Sequence, residues 1–147
     1  VARIISVEDH PNADKLIVLQ IDLGTEKRQI VAGIKKFYSK EELLGKKIAV
    51  LINLKPAMLR GKESNGMLLA GDDGTQIGLV APQLSEPGDQ VYVEGFSKVN
   101  TSQISYEEFA KIQMHTKDGR IYYNGKALKT DKEALSAEKV GDGARIK

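Results

Sequence analysis

The residues of this 147-residue chain that are best suited to chemistry lie close together, between positions 53 and 67. Three cations, Lys55, Arg60 and Lys62, stand beside a single carboxylate, Glu63. Two amides and the hydroxyl of Ser64 add groups that can both donate and accept hydrogen bonds. Apolar runs precede and follow this stretch, so a long basic loop would be held between two buried strands. Such a loop is where a rigid scaffold displays a binding site.

The patterns of catalytic and metal-binding proteins are missing from the sequence. The only two histidines, His10 and His115, lie far apart and there is no cysteine, so a zinc site is not expected. Gly61 and Lys62 resemble the end of a phosphate-binding loop, but the required first glycine is Pro56 and the residue after the lysine is Glu63. We therefore expect a binding module that is not an enzyme and that needs no metal and no cofactor.

The amino-acid composition is that of a globular protein with a hydrophobic core. Hydrophobic residues make up 41% of the chain and charged residues 29%, which is enough apolar content for a core. The net charge of +2 is only mildly basic, so the clustering of cations matters more than their total. No apolar run is long enough to span a membrane, and the lack of cysteine suits a cytoplasmic setting. Because the chain opens at Val1 without a methionine, we expect it to be cut from a longer protein.

The elements that must position the basic loop follow from hydrophobic alternation and turn residues. The predicted strands are 3–8, 16–23, 28–32, 46–53 and 66–72, and a short helix at 39–45 carries a capping box formed by Ser39 and Glu42. Further short strands are expected at 76–80 and 90–94. Three strands, a helix and two more strands is the order of an OB-fold, an all-β, five-stranded Greek-key barrel. Its ligand-binding loops would be 10–15 and 54–66.

Composition changes after residue 96, which divides the chain into a barrel at 1–96 and an extension at 97–147. The polar segment 97–105 is predicted to link the two parts. A second short helix follows, with Ser105 and Glu108 as its capping box. Asn124 and Gly125 predict the turn of a β-hairpin. Residues 132–147 are weakly patterned, and we expect an irregular tail.

Three sequence motifs also resemble a known family. They are HPNADKL at 10–16, VAGI at 31–34, and NLKP followed by RG, Ser64 and GM at 53–67. In this order and spacing they resemble the tRNA-binding OB-fold domain. That domain occurs in methionyl-tRNA synthetases, in free-standing tRNA-binding proteins, and at the C-terminus of endothelial-monocyte-activating polypeptide II and of some tyrosyl-tRNA synthetases. The resemblance covers residues 1–96, and the extension resembles that of the endothelial-monocyte-activating type more loosely.

The resemblance implies a non-catalytic module that recognises the structure of tRNA rather than its sequence. Its partners would be tRNA and a synthetase catalytic domain or a multi-synthetase complex. The extension would pack on the barrel in imitation of a dimer interface, leaving a cytoplasmic monomer. The tRNA-binding residues it implies, together with the neighbouring Lys62, are Arg3, Asn53, Lys55, Arg60, Lys62, Ser64 and Met67.

Several alternatives stay open at this point. Asn53 and Ser64 are as well suited to bracing the loop as to contacting RNA, and Lys62 could simply be solvated. Met67 begins a buried strand and is better suited to core packing. For the whole module, the alternative is a protein-interaction role, chaperone-like or cytokine-like, as in other members of the same family.

Overall fold

The computed structural model describes residues 1–96 and 102–147, and its fold is all-β and OB-like, built on a curled antiparallel sheet. The N-terminal sheet has the order β3-β2-β1-β4 and contains β1 (Ala2–Asp9), β2 (Ile17–Asp22), β3 (Lys27–Ala32) and β4 (Lys47–Ile48). Helix α1 (Lys40–Leu43) lies between β3 and β4, with both hydrogen bonds of the predicted capping box. The first three strands and the helix predicted from the sequence are confirmed.

Alternation along these strands divides the sheet into a buried inner face and an outer face. Ile4, Leu19, Ile21 and Ile30 are all fully buried in one hydrophobic cluster, joined by Leu43 from α1. Leu19 lies opposite Ile30 across the β2–β3 ladder, and Gln20 lies opposite Gln29. Because successive side chains of a strand point to opposite faces, the two glutamines lie on the outer face.

The strands predicted at 46–53 and 66–72 are each interrupted in the structure. The first is divided into β4 and β5 (Val50–Leu51), and the second into β8 (Met67–Leu68) and β9 (Ala70–Asp72). Two further strands, β6 (Ala57–Leu59) and β7 (Lys62–Ser64), lie between them. The interruptions fall at Ala49 and Leu69. Ala49 donates its N–H to Val80, Val80 donates to Leu69, and Leu69 donates to Ala49, each at 3.0 Å. This cyclic set of bonds replaces the regular ladder, which the apolar sequence at these positions could not reveal.

The C-terminal part shares a sheet with strands from residues 1–96, which are β9, β10 (Ile77–Leu79) and β11 (Tyr92–Val93). The elements of the C-terminal part are α2 (Tyr106–Ala110), β12 (His115–Lys117), β13 (Arg120–Tyr123), β14 (Lys126–Lys129) and β15 (Arg145–Ile146). The sheet order is β10-β9-β15-β12-β13-β14-β11. The capping box of Ser105 and Glu108 is present, and Asn124 and Gly125 form the turn between β13 and β14, both as predicted.

The prediction of an irregular tail at 132–147 was wrong in part. Strand β15 lies between β9 and β12, and Lys147 exchanges two backbone hydrogen bonds with Ala70, at 2.8 and 3.1 Å. Leu135, Ala144 and Ile146 are fully buried. A two-residue strand has too little alternation to be found in the sequence, and its place depends on contacts with β9. The predicted linker lies mostly outside the described residues, apart from 102–105.

A second hydrophobic cluster joins the two halves of the chain. From residues 1–96 it contains Ala49, Leu69 and Val80. The C-terminal part contributes Phe109, Met114, Ile121, Leu128, Leu135 and Ile146. Burial of this apolar area, at about 25 cal/mol per Å², is the main force that holds the C-terminal part in place. None of the described helices is both long and apolar enough to cross a membrane.

Polar contacts reinforce the same junction around Tyr38. Its hydroxyl donates to Glu138 Oε2 and accepts from the N–H of Leu79, both at 2.8 Å. Lys139 Nζ lies 3.8 Å from the centre of the Tyr38 ring, a cation–π contact. Burial of the phenol, together with the neighbouring Glu138, holds the pKa of Tyr38 well above its usual range. The phenol therefore remains a neutral donor at physiological pH.

We expect the Gly78→Ala substitution to weaken this junction. A Cβ at position 78 would overlap the backbone carbonyl of Glu138, whose N–H donates to Leu79 at 2.9 Å. The free energy of unfolding should fall by about 1–3 kcal/mol or more, measured by urea denaturation. Gly141→Ala is the matched control, because a Cβ there would meet open space among the described residues. Equal destabilisation by the two variants would contradict the packing argument.

Candidate nucleic-acid interface

The basic stretch predicted as a loop is in fact a β-hairpin. Strands β6 and β7 pair antiparallel, with Leu59 opposite Lys62, and only Arg60 and Gly61 connect them. Both connecting residues have positive φ, 54° and 90°, the pattern of a type I′ turn. The sequence does not announce this turn, because its first position usually holds Asn, Asp or Gly. A bulky residue such as Arg60 is strained in this conformation.

Hydrogen bonds to β3 hold the base of the hairpin. The hydroxyl of Ser64 accepts from the N–H of Val31 at 2.9 Å and donates to the carbonyl of Gly66 at 3.0 Å. The N–H of Asn65 donates to the carbonyl of Gln29 at 2.8 Å, and Gln29 Nε2 donates to the carbonyl of Glu63 at 2.9 Å. The hairpin is therefore fixed to the sheet at residues 63–65.

Arg28 was not identified from the sequence, yet it ties the two ends of the basic stretch together. Its Nη1 donates to the carbonyl of Ile52 at 2.8 Å and to that of Asn65 at 3.3 Å. Its remaining nitrogens bind Glu26 at 3.0 and 3.2 Å. Arg28 lies opposite the buried Ile21 on the inner row of the sheet. A cation at a position where alternation requires an apolar residue is the signal that could have found it.

His10 connects the turn between β1 and β2 to the tip of the hairpin. Its Nε2 donates to the carbonyl of Leu59 at 2.9 Å, while Nδ1 accepts from the N–H of Asn12 at 2.9 Å. The proton therefore lies on Nε2, and the buried ring serves as a structural tie. Beside it, ion pairs with Lys40 and Lys35, led by the hydrogen bond to Lys40, hold the pKa of Asp9 below its usual range.

The hairpin presents its cations to solvent. Lys55 and Arg60 are exposed and Lys62 is half-buried. Within residues 1–96 and 102–147, no hydrogen bond or ion pair engages any of these three side chains. The structure thus brings together three of the predicted residues, and their positive charge is free to bind an external anion.

The other four predicted residues have partners within the fold. Ser64 is 6% exposed and its donor is in use. Asn53 donates from Nδ2 to the carbonyl of Ser102 at 2.9 Å, which connects the start of the stretch to the C-terminal part. Met67 lies on β8 opposite Leu51 and packs against the second hydrophobic cluster. These three residues are placed to shape the hairpin.

Arg3 lies on β1 and is oriented toward a different neighbourhood. Its Nη1 donates to the carbonyl of Gly45 at 3.0 Å, and its Nη2 lies 3.6 Å from the carboxylate of Glu86. Lys47 contacts the same carboxylate at 3.6 Å. The structure therefore gives Arg3 no polar contact with the hairpin.

The outer face of the sheet lies between the hairpin and the β1–β2 turn. Gln20 donates to Gln29 across this face at 3.0 Å. Val18 and Val31 lie on the same face and are buried, yet they belong to neither hydrophobic cluster. This face, flanked by these two connections, is the surface with which OB-folds bind oligonucleotides. The described residues include no group of three or more His, Cys, Asp or Glu that could hold a metal ion.

Comparison with known protein families gives a match over the same region. The family described as "Putative tRNA binding domain" matches residues 1–90. Methionine–tRNA ligases of Thermococcus onnurineus and Thermococcus kodakarensis are 56% and 57% identical to the chain over 82 residues. These alignments cover 56% of this chain but only 11% of each ligase, so the chain spans a small part of these relatives.

Solved structures extend the similarity to the C-terminal part. The C-terminal domain of Plasmodium vivax p43 has a TM-score of 0.88 and 31% identity, covering 99% of this chain and 93% of that one. A MetRS related protein from Pyrococcus horikoshii has a TM-score of 0.56 and 36% identity, over 59% and 82% of the two chains. The CsaA chaperone protein from Picrophilus torridus has a TM-score of 0.56 and 31% identity, over 60% and 84%.

We expect Ser64→Ala to loosen the hairpin from the sheet. The substitution leaves the buried N–H of Val31 without its acceptor, which should lower the free energy of unfolding by about 1–3 kcal/mol. Urea denaturation measures this loss, and hydrogen exchange at the Val31 amide should become faster. Ser136→Ala is the control, because Ser136 is exposed and its side chain bonds to none of the described residues. Unchanged exchange at Val31 would show that Ser64 does not anchor the hairpin.

Proposed function

Because the chain belongs to the family described as "Putative tRNA binding domain", we propose that it is a non-catalytic tRNA-binding module whose contact element is the β6–β7 hairpin. One observation is the main support for the proposal that the hairpin contacts tRNA. Arg60 lies in the turn of a hairpin that is held at its base and its tip, Lys62 lies on β7 and Lys55 lies two residues before β6, and no ion pair with a described residue neutralises them. A folded RNA offers the phosphates and 2′-hydroxyls that such a surface would bind.

The three cations have different tasks in this proposal. Arg60, at the turn, can bind a phosphate with two parallel hydrogen bonds or stack on an exposed base. Lys55 and Lys62 act as point charges on either side of it. The polar row of Gln20 and Gln29 can supply hydrogen bonds to sugar or base edges without selecting a sequence. Recognition would therefore depend on the shape of the tRNA more than on its sequence.

We assign a supporting role to the remaining residues of the family motif. Asn53, Ser64 and Met67 hold the hairpin in place through the partners described above. Arg3 adds positive charge at a distance, through its position on β1, without a direct bond to the hairpin. Substitution of these four residues would then change affinity mainly by changing the geometry of the cation-bearing turn.

The double substitution Lys55→Gln with Arg60→Asn should weaken tRNA binding without harming the fold. Asn is favoured at the first position of a type I′ turn, so the thermal midpoint should stay the same or rise. The loss of two phosphate contacts should reduce the slope of log K against log salt by roughly two. The measurement is a titration of unfractionated tRNA at several salt concentrations, followed by gel shift or fluorescence anisotropy.

A matched control removes two cations elsewhere, with Lys36→Gln and Lys132→Gln. Lys36 is exposed, and Lys132 forms an exposed ion pair with Asp89 that contributes little stability. The control should keep the salt slope of the unmodified chain. If the hairpin variant and the unmodified chain show the same salt slope, the hairpin does not contact tRNA phosphates and the proposal is wrong.

We also propose that the module assists an aminoacyl-tRNA synthetase, most simply a methionyl enzyme, in the cytoplasm. The support is the identity to methionine–tRNA ligases over 82 residues. A weak, sequence-tolerant tRNA binder attached to, or assembled with, a catalytic domain raises the local concentration of tRNA there. In this arrangement the catalytic partner, not this module, would select the tRNA.

The C-terminal part, 97–147, is proposed to replace the partner subunit of a dimer. In support, Phe109, Leu135 and Ile146 cover the apolar Leu69 and Val80 of residues 1–96. A chain whose apolar surface is covered in this way should sediment as a monomer near 16.1 kDa. A dimer at micromolar concentration, measured by analytical ultracentrifugation, would contradict this role of the C-terminal part.

A protein-interaction role is the second candidate, and exposed apolar side chains on the hairpin favour it. Met58 is 64% exposed and Leu59 is 37% exposed, beside the strained turn. The structural likeness to the CsaA chaperone protein points in the same direction. Binding of an unfolded polypeptide that is lost in Met58→Ser but insensitive to salt would support this role, since tRNA binding must weaken as salt rises.

A further inference from the structure

The C-terminal sheet carries a second basic surface, on the side that faces away from the barrel. Strands β12 to β15 have the sequences HTK, RIYY, KALK and RI, which contain five cations and not one carboxylate. A run of strands without a single anion differs from the rest of the chain, in which 20 acidic residues nearly balance 22 basic ones.

Alternation assigns the side chains of these strands to two faces. Thr116, Ile121, Leu128 and Ile146 are buried, and the last three belong to the second hydrophobic cluster. Their neighbours must therefore point outward. The outward residues, which we call the outer C-terminal face, are His115, Lys117, Arg120, Tyr122, Ala127, Lys129 and Arg145.

Strand register places rings and cations side by side on this face. Arg145 lies opposite His115, and His115 lies opposite Tyr122. In the next row Lys117 lies opposite Arg120. Directly opposite residues have Cβ atoms about 4.5–5.5 Å apart, so two rings form a short platform with cations on two sides. Neighbouring aromatic rings on adjacent strands are what stacks successive unpaired bases in single-strand binders.

The charge of the face is not neutralised from within the fold. In the part of the chain that the structure describes, Lys117, Arg120 and Arg145 form no ion pair. Arg145 donates to the carbonyl of Ala110 at 2.7 Å, and Arg120 donates to that of Gly119 at 3.1 Å. Three carboxylates border the face. Asp72 lies opposite Arg145 on β9 and binds Lys147 Nζ at 2.8 Å, and Asp142 accepts from the N–H of Asp118 at 2.9 Å. Asp118 lies in the turn between Lys117 and Arg120, and within the described residues it forms no ion pair with either of them.

We propose that the outer C-terminal face is a second RNA-contact surface, which binds phosphates with Lys117, Arg120 and Arg145 and stacks an unpaired base on His115 or Tyr122. An anionic membrane fits the face less well, because none of the large apolar side chains exposed on the molecule lies on these strands. An acidic peptide would use the cations and leave the rings without a role. The proposal rests on the proposed function, since tRNA is the RNA concerned.

One RNA can reach both surfaces. The N–H of Lys55, at the base of the hairpin, donates to Ile104 at 2.8 Å, and α2 begins two residues later. Ala110, the last residue of α2, accepts the bond from Arg145. A five-residue helix rises about 7.5 Å, so the two surfaces lie on the order of 15 Å apart along this path. That separation is shorter than one turn of a nucleic-acid duplex, about 34 Å.

The first test removes charge with Lys117→Gln and Arg120→Gln. Neither side chain forms a hydrogen bond to another element of the described structure, so the thermal midpoint should match that of the unmodified chain. With unfractionated tRNA as the probe, the slope of log K against log salt should fall by roughly two. The Lys36→Gln and Lys132→Gln pair is again the control, with an unchanged slope expected.

The second test removes the ring with Tyr122→Leu, which keeps an apolar side chain on a half-buried position. Loss of one stacked base should weaken tRNA binding about 5-fold to 100-fold. The salt slope should not change, because no phosphate contact is lost. A merely structural effect of the substitution would instead lower the thermal midpoint together with the affinity.

The outcomes separate this proposal from that for the hairpin. If Lys117→Gln with Arg120→Gln binds tRNA with the slope of the unmodified chain, the second surface is overturned, whatever the hairpin variant does. If the slope of log K against log salt falls for this variant but not for Lys55→Gln with Arg60→Asn, the second surface is supported and the hairpin proposal fails. Unchanged tRNA binding together with lost retention on vesicles containing phosphatidylserine would reassign the face to a membrane and overturn its assignment to RNA.

Discussion

The free edge of β3 is the constraint on which the rest of the binding surface depends. In the order β3-β2-β1-β4, one side of β3 has no strand beside it, and an uncovered edge invites pairing with other chains. The base of the hairpin covers this edge, through the bonds of Ser64 to Val31 and of Asn65 to Gln29. One set of contacts therefore satisfies the sheet and fixes the element that carries the cations. This coupling gives the buried Ser64 a structural task, since its hydroxyl faces the protein.

A strand edge is also covered in the C-terminal sheet. Strands β9 and β10 would also leave an edge, and β15 covers it by pairing with β9. The cyclic bonds among Ala49, Leu69 and Val80 interrupt the strands at the point where the second cluster forms. The chain thus leaves regular strand pairing at residues whose side chains belong to the cluster that joins the two parts of the molecule. This arrangement gives the C-terminal sheet a buried inner face and leaves its outer face open.

Much of this architecture could be predicted from the sequence, because the signals were local. Alternation located β1 to β3, the pairs Ser39 with Glu42 and Ser105 with Glu108 marked both helices, and the positions of the two connections beside the outer face followed from strand order. The hairpin at 57–64, inside the predicted loop 54–66, escaped prediction because Arg60 occupies a turn position that usually holds Asn, Asp or Gly. Strand β15 escaped because its partners are distant in the sequence, Gly71 for Ile146. Arg28 does interrupt the alternation of β3, but that interruption does not identify its partner Ile52, which lies 24 residues away.

The conformation of Arg60 links stability to binding. A non-glycine residue with positive φ costs roughly 1–2 kcal/mol, and Asn at the same position would cost less. The strain persists because both sides of the turn are held, by the bond of His10 to Leu59 and by the bonds of residues 63–65 to β3. A guanidinium on a flexible loop would lose much of its freedom on binding, whereas one on a fixed turn has its backbone already ordered. The strained backbone of Arg60 is therefore the energetic cost of holding its guanidinium in a fixed position. The hydrogen bonds that cover the edge of β3 offset this cost.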